Sequence, residues 1–395
     1  MSLSRNEHII GLLMPRYLLV IFTFLVGFSA CAAQADDVVR PDYVKARVLA
    51  VDTFEHEALS ESQIQEITQS VTLKILSGKY KDKIVTIDHM ASSMMGGQMI
   101  LKPKDKVMLY VDDNPSEAES PDGSPIFNVS DYVRDVPLFW LAFFYALLLI
   151  IVGGMKGIKS LVSLIITIAL IFFVLFPLTL WGFNPLLVSI FIAAAVSLLV
   201  FRIIGGKTVK SLSGALGTLL GVAIAGLLAY FVGNMIHLTG MSSEESRILL
   251  YSMDIKIDYR GLLFGSILLG ALGAVMDIGM SIASAVDEVR KVHPEANFQN
   301  LFNAGMNVGR DVMGTMSNTL ILAYTGSSLP LLLLLVANQV SASKIFNLEM
   351  IASEVVRALA GSIGLVLCIP LTALISASFY SKPNLKVPSN WLRKE

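Results

Sequence analysis

The chain has 395 residues, 54% of them hydrophobic and 15% charged, with a mean hydropathy of +0.67, which excludes an ordinary soluble domain and places the protein in a lipid bilayer. A net charge of −1 without a block of like basic charge gives a nucleic acid nothing to bind. Two cysteines, Cys31 and Cys368, lie in or beside apolar segments, so neither a disulfide framework nor a thiolate metal site is available, and no cofactor is expected.

The N-terminus has the pattern of an export signal: Arg5 and Arg16 precede the apolar run from Tyr17 to Phe28, then small residues ending in Ala33-Gln34-Ala35 precede Asp36 and Asp37. Cleavage after Ala35, giving a signal peptide over residues 1–35, is preferred to an uncleaved anchor. Lipid attachment at Cys31 ranks third, and Met14 serves equally well as the start. Each reading puts the next segment outside the cytoplasm.

Residues 36–111 read as a small extracytoplasmic β domain. Val44 to Val51, Ser70 to Leu76, Lys83 to Ile87 and Lys106 to Val111 alternate or run apolar between Gly, Asp and Pro turns, and an antiparallel β-barrel-like closure is the simplest arrangement. Glu55, His56, Glu57, Asp88 and His89 could hold a metal there, although acids beside surface histidines are more often simply solvated. Residues 112–135, rich in Asp, Glu, Ser and Pro, read as a linker.

Residues 136–380 then read as an α-helical polytopic membrane domain with about seven transmembrane helices: Val136 to Gly153, Ile158 to Leu175, Pro185 to Phe201, Leu212 to His237, Leu262 to Val286, Val312 to Val336 and Ala358 to Phe379. Pro177, Pro330 and Pro370 are expected to kink or end their helices. In alternate connections, Lys156, Lys159, Arg202, Lys207, Lys210, Arg290, Lys291, Arg310, Lys382, Lys386, Arg393 and Lys394 fall on one side, against Arg247, Lys256, Arg260, Lys344 and Arg357 on the other. The first set marks the cytoplasmic side, so the tail, residues 381–395, is expected in the cytoplasm and the protein in the inner membrane. Gly154 to Leu161 aligns with Gly205 to Leu212, which reads either as a duplicated hairpin or as two similar basic loops. Gly214, Gly217, Gly221 and Gly226 mark the fourth span as a packing helix at the centre of the bundle.

The most informative stretch runs from Gly261 to Thr325. Ser266, Gly270, Gly273, Asp277, Ser281, Ser284 and Glu288 keep to one helical face, as do Asp311, Thr315, Asn318, Leu322 and Thr325 on the following helix. Ionisable and amide groups inside apolar helices are expensive and usually face a partner or a cavity. Asp277 either binds a substrate or fastens two helices, and Asn318 is its expected partner. Asp311, after Gly309-Arg310, fits a helix cap as well as it fits a substrate contact, while Ser281, Ser284, Thr315 and Thr319 can each bond their own backbone. These hard oxygen donors suit Na⁺, Mg²⁺, Mn²⁺ or a proton relay rather than copper. Met276, Met280, Met313 and Met316 flank them, as soft ligands or as packing.

The runs Gly-Ala-Val-Met-Asp-Ile-Gly-Met-Ser-Ile-Ala-Ser at 273–284 and Gly-Arg-Asp-Val-Met-Gly-Thr-Met-Ser-Asn-Thr-Leu at 309–320 resemble the YibE/F family of bacterial multi-pass membrane proteins. The resemblance covers the membrane region well and the β domain loosely, and implies an architecture rather than a substrate. No His-Glu-x-x-His pair, Ser-Lys dyad or phosphate-binding glycine loop occurs, so an enzyme is not expected. The expectation is a transporter or channel for a small inorganic cation, with Asp277, Asn318, Asp311, Ser281, Thr315 and Ser284 as its site. The alternative is a non-transporting envelope scaffold whose exported β domain binds a protein partner. A homo-oligomer is compatible with both.

Overall fold

The computed structural model describes residues 42–55, 66–92, 99–113, 115, 123–252 and 257–381. The export signal, the lipid-attachment position Cys31, His56, Glu57 and the C-terminal tail lie outside them. The chain divides into two compact units, Met1–Leu147 and Leu148–Glu395.

Among the described residues the first unit holds five antiparallel strands, β1 (Asp42–Glu55), β2 (Glu66–Ile75), β3 (Ile84–Ser92), β4 (Lys106–Asp112) and β5 (Ile126–Tyr132), in the spatial order β3-β2-β1-β4-β5. Four coincide with the strands expected from the sequence. The fifth falls in the stretch read as linker, where buried Phe127 and half-buried Val129 alternate with polar Asn128 and Ser130. The sheet curls so that β3 and β5 flank a cleft of about 440 Å³ lined by Ile87, Asp88, Phe127 and Asn128, among others. It is a half-barrel, with no ladder joining its two edges among the described residues.

Period-2 alternation builds its core. Val44, Ala46 and Val48 of β1, Val71, Leu73 and Ile75 of β2, and Val107, Leu109 and Val111 of β4 are all buried on one face. Gln69, 1% exposed, substitutes for a missing ladder: its amide accepts from Leu101 N–H at 2.7 Å and donates to Leu101 C=O at 3.2 Å. The surface histidine is also accounted for, since His89 Nε2 bonds the Met99 carbonyl at 2.9 Å. Asp88, its neighbour in the strand, therefore points to the opposite face. Among the described residues no group of three His, Cys, Asp or Glu could hold a metal ion.

The first two expected spans form one helical stretch, which begins in the first unit and continues through the second. Helix α1 (Asp135–Leu170), a π-helical turn (Ile171–Leu175) and α2 (Phe176–Leu180) run together as 46 mostly apolar residues. The stretch is interrupted at Gly154, where φ is 53° and ψ −133°. The Leu149 carbonyl stands where a Cβ on Gly157 would be. Eight residues of straight helix would separate those positions by about 12 Å, so the chain turns back on itself at Gly154.

There follow α3 (Pro185–Gly205), α4 (Val209–Met235), α5 (Glu244–Ser252), α6 (Tyr259–Val292), α7 (Phe298–Ser327), α8 (Leu329–Ala337), α9 (Ala342–Asn347) and α10 (Glu349–Ser381). Among the described residues five helical stretches are long and apolar enough to cross a membrane: Asp135–Leu180, α3, α4, α6 and α10. A sixth is reached if α7 and α8, bent by 60° at their junction, count as one broken span. Length and composition therefore give five or six candidates where the sequence suggested seven. The difference lies in the merged first stretch and in the break at Ser328, next to Pro330.

Small residues assemble the bundle, as membrane helices require when apolar surface alone gives no drive to associate. A Cβ at Gly221 of α4 would lie 2.7 Å from Cys368 Cβ and 2.9 Å from the Gly364 carbonyl of α10, and one at Gly364 would lie 2.6 Å from the Gly221 carbonyl. Gly214 of α4 and Gly279 of α6 approach each other's carbonyls in the same way, at 3.3 and 3.1 Å. Gly305 and Gly309 of α7 lie against Ala373 and Ile369 of α10 and Ile282 of α6. At one end the helix caps are linked: Asn184 caps α3, Asp258 caps α6 through Gly261 N at 2.8 Å, and Asn184 Nδ2 donates to Asp258 Oδ2 at 3.2 Å.

Gly221→Leu forces overpacking at a backbone-to-backbone contact and is expected to destabilise the protein by about 3 kcal/mol. Gly273→Ala, with nothing within 4 Å of its added carbon, should leave the melting temperature unchanged. Thermal unfolding of both purified variants checks the contrast.

In the β unit, Asp113 accepts from the Tyr80 hydroxyl at 2.6 Å and from Lys79 at 3.4 Å. Chiefly the Tyr80 bond holds its carboxyl below the ordinary range and raises the Tyr80 phenol. A depressed carboxyl stabilises the fold above its unfolded pKa, and that contribution is lost as pH falls through the folded value. Corrected amide exchange around residues 79–83 should therefore accelerate below about pH 4. Asp113→Asn should exchange faster at neutral pH and lose that dependence.

Candidate ion site on two neighbouring helices

α6 is long because its sequence supplies an apolar face throughout, with Phe264, Ile267, Leu268, Ala271, Val275, Ile278 and Ile282 all buried. The opposite side is the small and polar stripe. Ser266, Gly270, Gly273, Asp277 and Ser281 are exposed, Ser284 is half-buried and Glu288 exposed. Asp277 sits near the middle of the 34-residue helix, about 22 Å from its nearer end at 1.5 Å per residue.

α7 shows the same division. Leu301, Gly305, Gly309 and Leu320 are buried, while Asn307, Arg310, Asp311, Gly314, Thr315, Asn318 and Thr319 are exposed. The cap reading of Asp311 is corrected: the helix begins at Phe298, capped by Asn297, whose side chain accepts from Asn300 N at 2.9 Å. Asp311 is more than three turns inside it.

α7 runs antiparallel to α6. Gly305 lies against Val286 and Ile282, Gly309 against Ile282, and Gly270 beside the Tyr324 hydroxyl. This register sets Asp277 about level with Thr315 and puts Asn318 about one turn further along, toward the end where α6 begins. Among the described residues no hydrogen bond joins Asp277 to Asn318. The hydroxyls turn inward to their own helices: Ser281 donates to the Asp277 carbonyl at 2.8 Å, Thr315 to Val312 at 2.9 Å and Thr319 to Thr315 at 2.9 Å. Such bonds satisfy the hydroxyl proton and leave the oxygen lone pairs open. Met276, Met313 and Met316 pack against the main apolar core, which accounts for them without a ligand role.

Two charged residues stand outside the sequence-derived set. Glu354 and Arg357 pair at 3.0 Å on α10, and Arg357 donates to Ser266 at 3.4 Å. The apolar run starts at Ala358, which by sequence alone puts Arg357 in an outer connection. The helix starts at Glu349, with an acid in its first turn, which puts Arg357 about 12 Å along it. The available signal was the Glu-x-x-Arg spacing, which allows an intrahelical pair ahead of the apolar run.

A family model described as YibE/F-like protein matches residues 141–382, and one described as YibE/F family N-terminal domain matches residues 42–123. The chain belongs to the YibE/F family. The YibE/F-like match spans both polar helices and α10, and the N-terminal match covers β1 to β4 and ends just before β5. Comparison with curated proteins and with solved structures returned no match.

Cysteines introduced at Gly273, Thr315 and Asn318 in a Cys31→Ser background should react with a water-soluble maleimide in intact membranes. Cysteines at Ala271 and Val275, both fully buried, should not, and Cys368 is itself buried. Mass spectrometry of the labelled protein reads the pattern directly.

Proposed function

We propose that this protein is a transporter or channel that moves a small inorganic cation across the membrane along the polar faces of α6 and α7. The observation that carries the reading is Asp277: an exposed carboxylate near the middle of a helix long and apolar enough to span, on a face otherwise made of glycine and serine from Ser266 to Ser284. Charge at that depth is tolerated where it faces water, an ion or a partner. The oxygens at or near its level, from Ser281, Thr315 and Asn318, are hard donors suited to an alkali or alkaline-earth ion that keeps part of its hydration. Asp311 and Ser284, closer to the end where α7 begins, would pass the ion on.

The topology that fits this reading has seven crossings. Forty-six helical residues would extend about 69 Å, more than twice the hydrocarbon thickness of a bilayer, and the reversal at Gly154 divides them into two spans with Lys156 and Lys159 at the turn. The broken pair α7–α8 supplies another. An odd number of crossings puts the β domain and the C-terminus on opposite sides, and the basic residues favour the C-terminus in the cytoplasm.

Proteoliposomes containing the purified protein should take up at least one of Na⁺, Mg²⁺, Mn²⁺ or protons. Asp277→Ala should abolish that flux at matched incorporation, and Asp277→Asn should reduce it at least tenfold. Unchanged flux in Asp277→Ala would remove the site from these helices.

A further inference from the structure

Three helices meet at a second polar cluster. Glu354 and Arg357 of α10 pair at 3.0 Å with both side chains 25% exposed. Arg357 also donates to Ser266 Oγ of α6 at 3.4 Å, and its guanidinium carbon lies 6.0 Å from the ring centre of Tyr324 on α7. The Tyr324 hydroxyl in turn abuts Gly270 of α6, where a Cβ would come within 2.9 Å of it. Ser266 and Gly270 belong to the stripe that carries Asp277. The cluster therefore closes that stripe at the end where α6 begins, about 16 Å along the axis from Asp277.

The ion pair is incompletely satisfied. Arg357 Nε and Glu354 Oε2 are both shielded from solvent, and neither has a hydrogen-bond partner. A carboxylate offers about four acceptor positions and a guanidinium five donors, so each keeps capacity that the pair leaves unused. The carboxylate and the Ser266 and Tyr324 hydroxyls are hard oxygens of the kind that bind small cations, and the positive charge now lying among them is the guanidinium.

We propose that this cluster is an outer subsite for the same cation, with Glu354 as its ligand and Arg357 as a tethered cation that occupies the place until the ion arrives. In a medium of low polarity two cations held a few ångström apart repel each other strongly, so an arriving ion competes with Arg357 for Glu354 and displaces it. The guanidinium then has the face of Tyr324 beside it as an alternative resting place. It returns to Glu354 when the ion passes on toward Asp277. This rests on the transport reading above, and extends it from one site to two in series.

The test uses the full-length protein in two formats. Half-saturation of flux is measured in proteoliposomes for Na⁺, Mg²⁺ and Mn²⁺, and the melting temperature in detergent is titrated with the same ions. Removing the competitor, Arg357→Gln should lower the half-saturating concentration of the accepted ion about tenfold, and Glu354→Gln should raise it by at least as much, each a change of roughly 1.4 kcal/mol. The double variant should behave like Glu354→Gln. Tyr324→Phe, which keeps the ring and loses one oxygen, should raise it a few-fold and serves if Arg357→Gln folds poorly. Half-saturation unchanged within twofold in Glu354→Gln and Tyr324→Phe overturns the subsite, as does a double variant that restores wild-type stability together with wild-type half-saturation, since the pair then only fastens helices. A Glu354-dependent thermal shift without flux for any ion supports the subsite and sinks transport. No ion-dependent shift in either the wild type or Arg357→Gln overturns the subsite whatever the flux.

Discussion

The membrane unit depends on backbone meeting backbone. At Gly221 and Gly364, helices α4 and α10 approach so closely that either added carbon would strike the other's carbonyl, and Gly214 with Gly279 brings α6 nearly as near to α4. Contacts of this kind supply the dispersion energy that holds helices together where the surrounding lipid is as apolar as leucine. They also fix rotation. Once Gly279 faces α4, Asp277 and Ser281 are carried round to the uncovered side of α6.

That rotation turns a packing rule into a chemical one. The same helix uses its small residues in two ways: Gly261, Gly265 and Gly279 have neighbouring side chains where a Cβ would be, whereas Gly273 has nothing within 4 Å. A glycine with no close neighbour is not serving helix contact. Beside a mid-helix carboxylate it leaves the backbone open to whatever occupies the face, and α7 repeats the arrangement with Gly314 between Asp311 and Asn318.

Much of this was legible from residue spacing. The two polar stripes, the central glycine helix and four of five strands follow from periods of 3.6 and 2, which burial enforces directly. What escaped had physical reasons. β5 lies beyond an acidic, Pro-containing stretch, and composition there outweighed a short alternation from Ile126 to Tyr132. The apolar run starting at Val312 makes Asp311 fit a cap as well as a substrate contact, but helix formation does not wait for apolar residues, and Asn297 caps α7 fourteen residues before Asp311. Arg357 was missed for the same reason at the start of α10. The break at Gly154 belongs to a different class: a glycine permits a positive φ without demanding one.

The hydrogen bond between the caps of α3 and α6 has a mechanical consequence. Asn184 and Asp258 each hold the first amides of their own helix and also touch one another, so sliding either helix along its axis would loosen two helix ends at once. α3 and α6 are thereby pinned as a pair at that end. α7, broken from α8 by 60°, lies outside that tie and carries the other half of the polar surface.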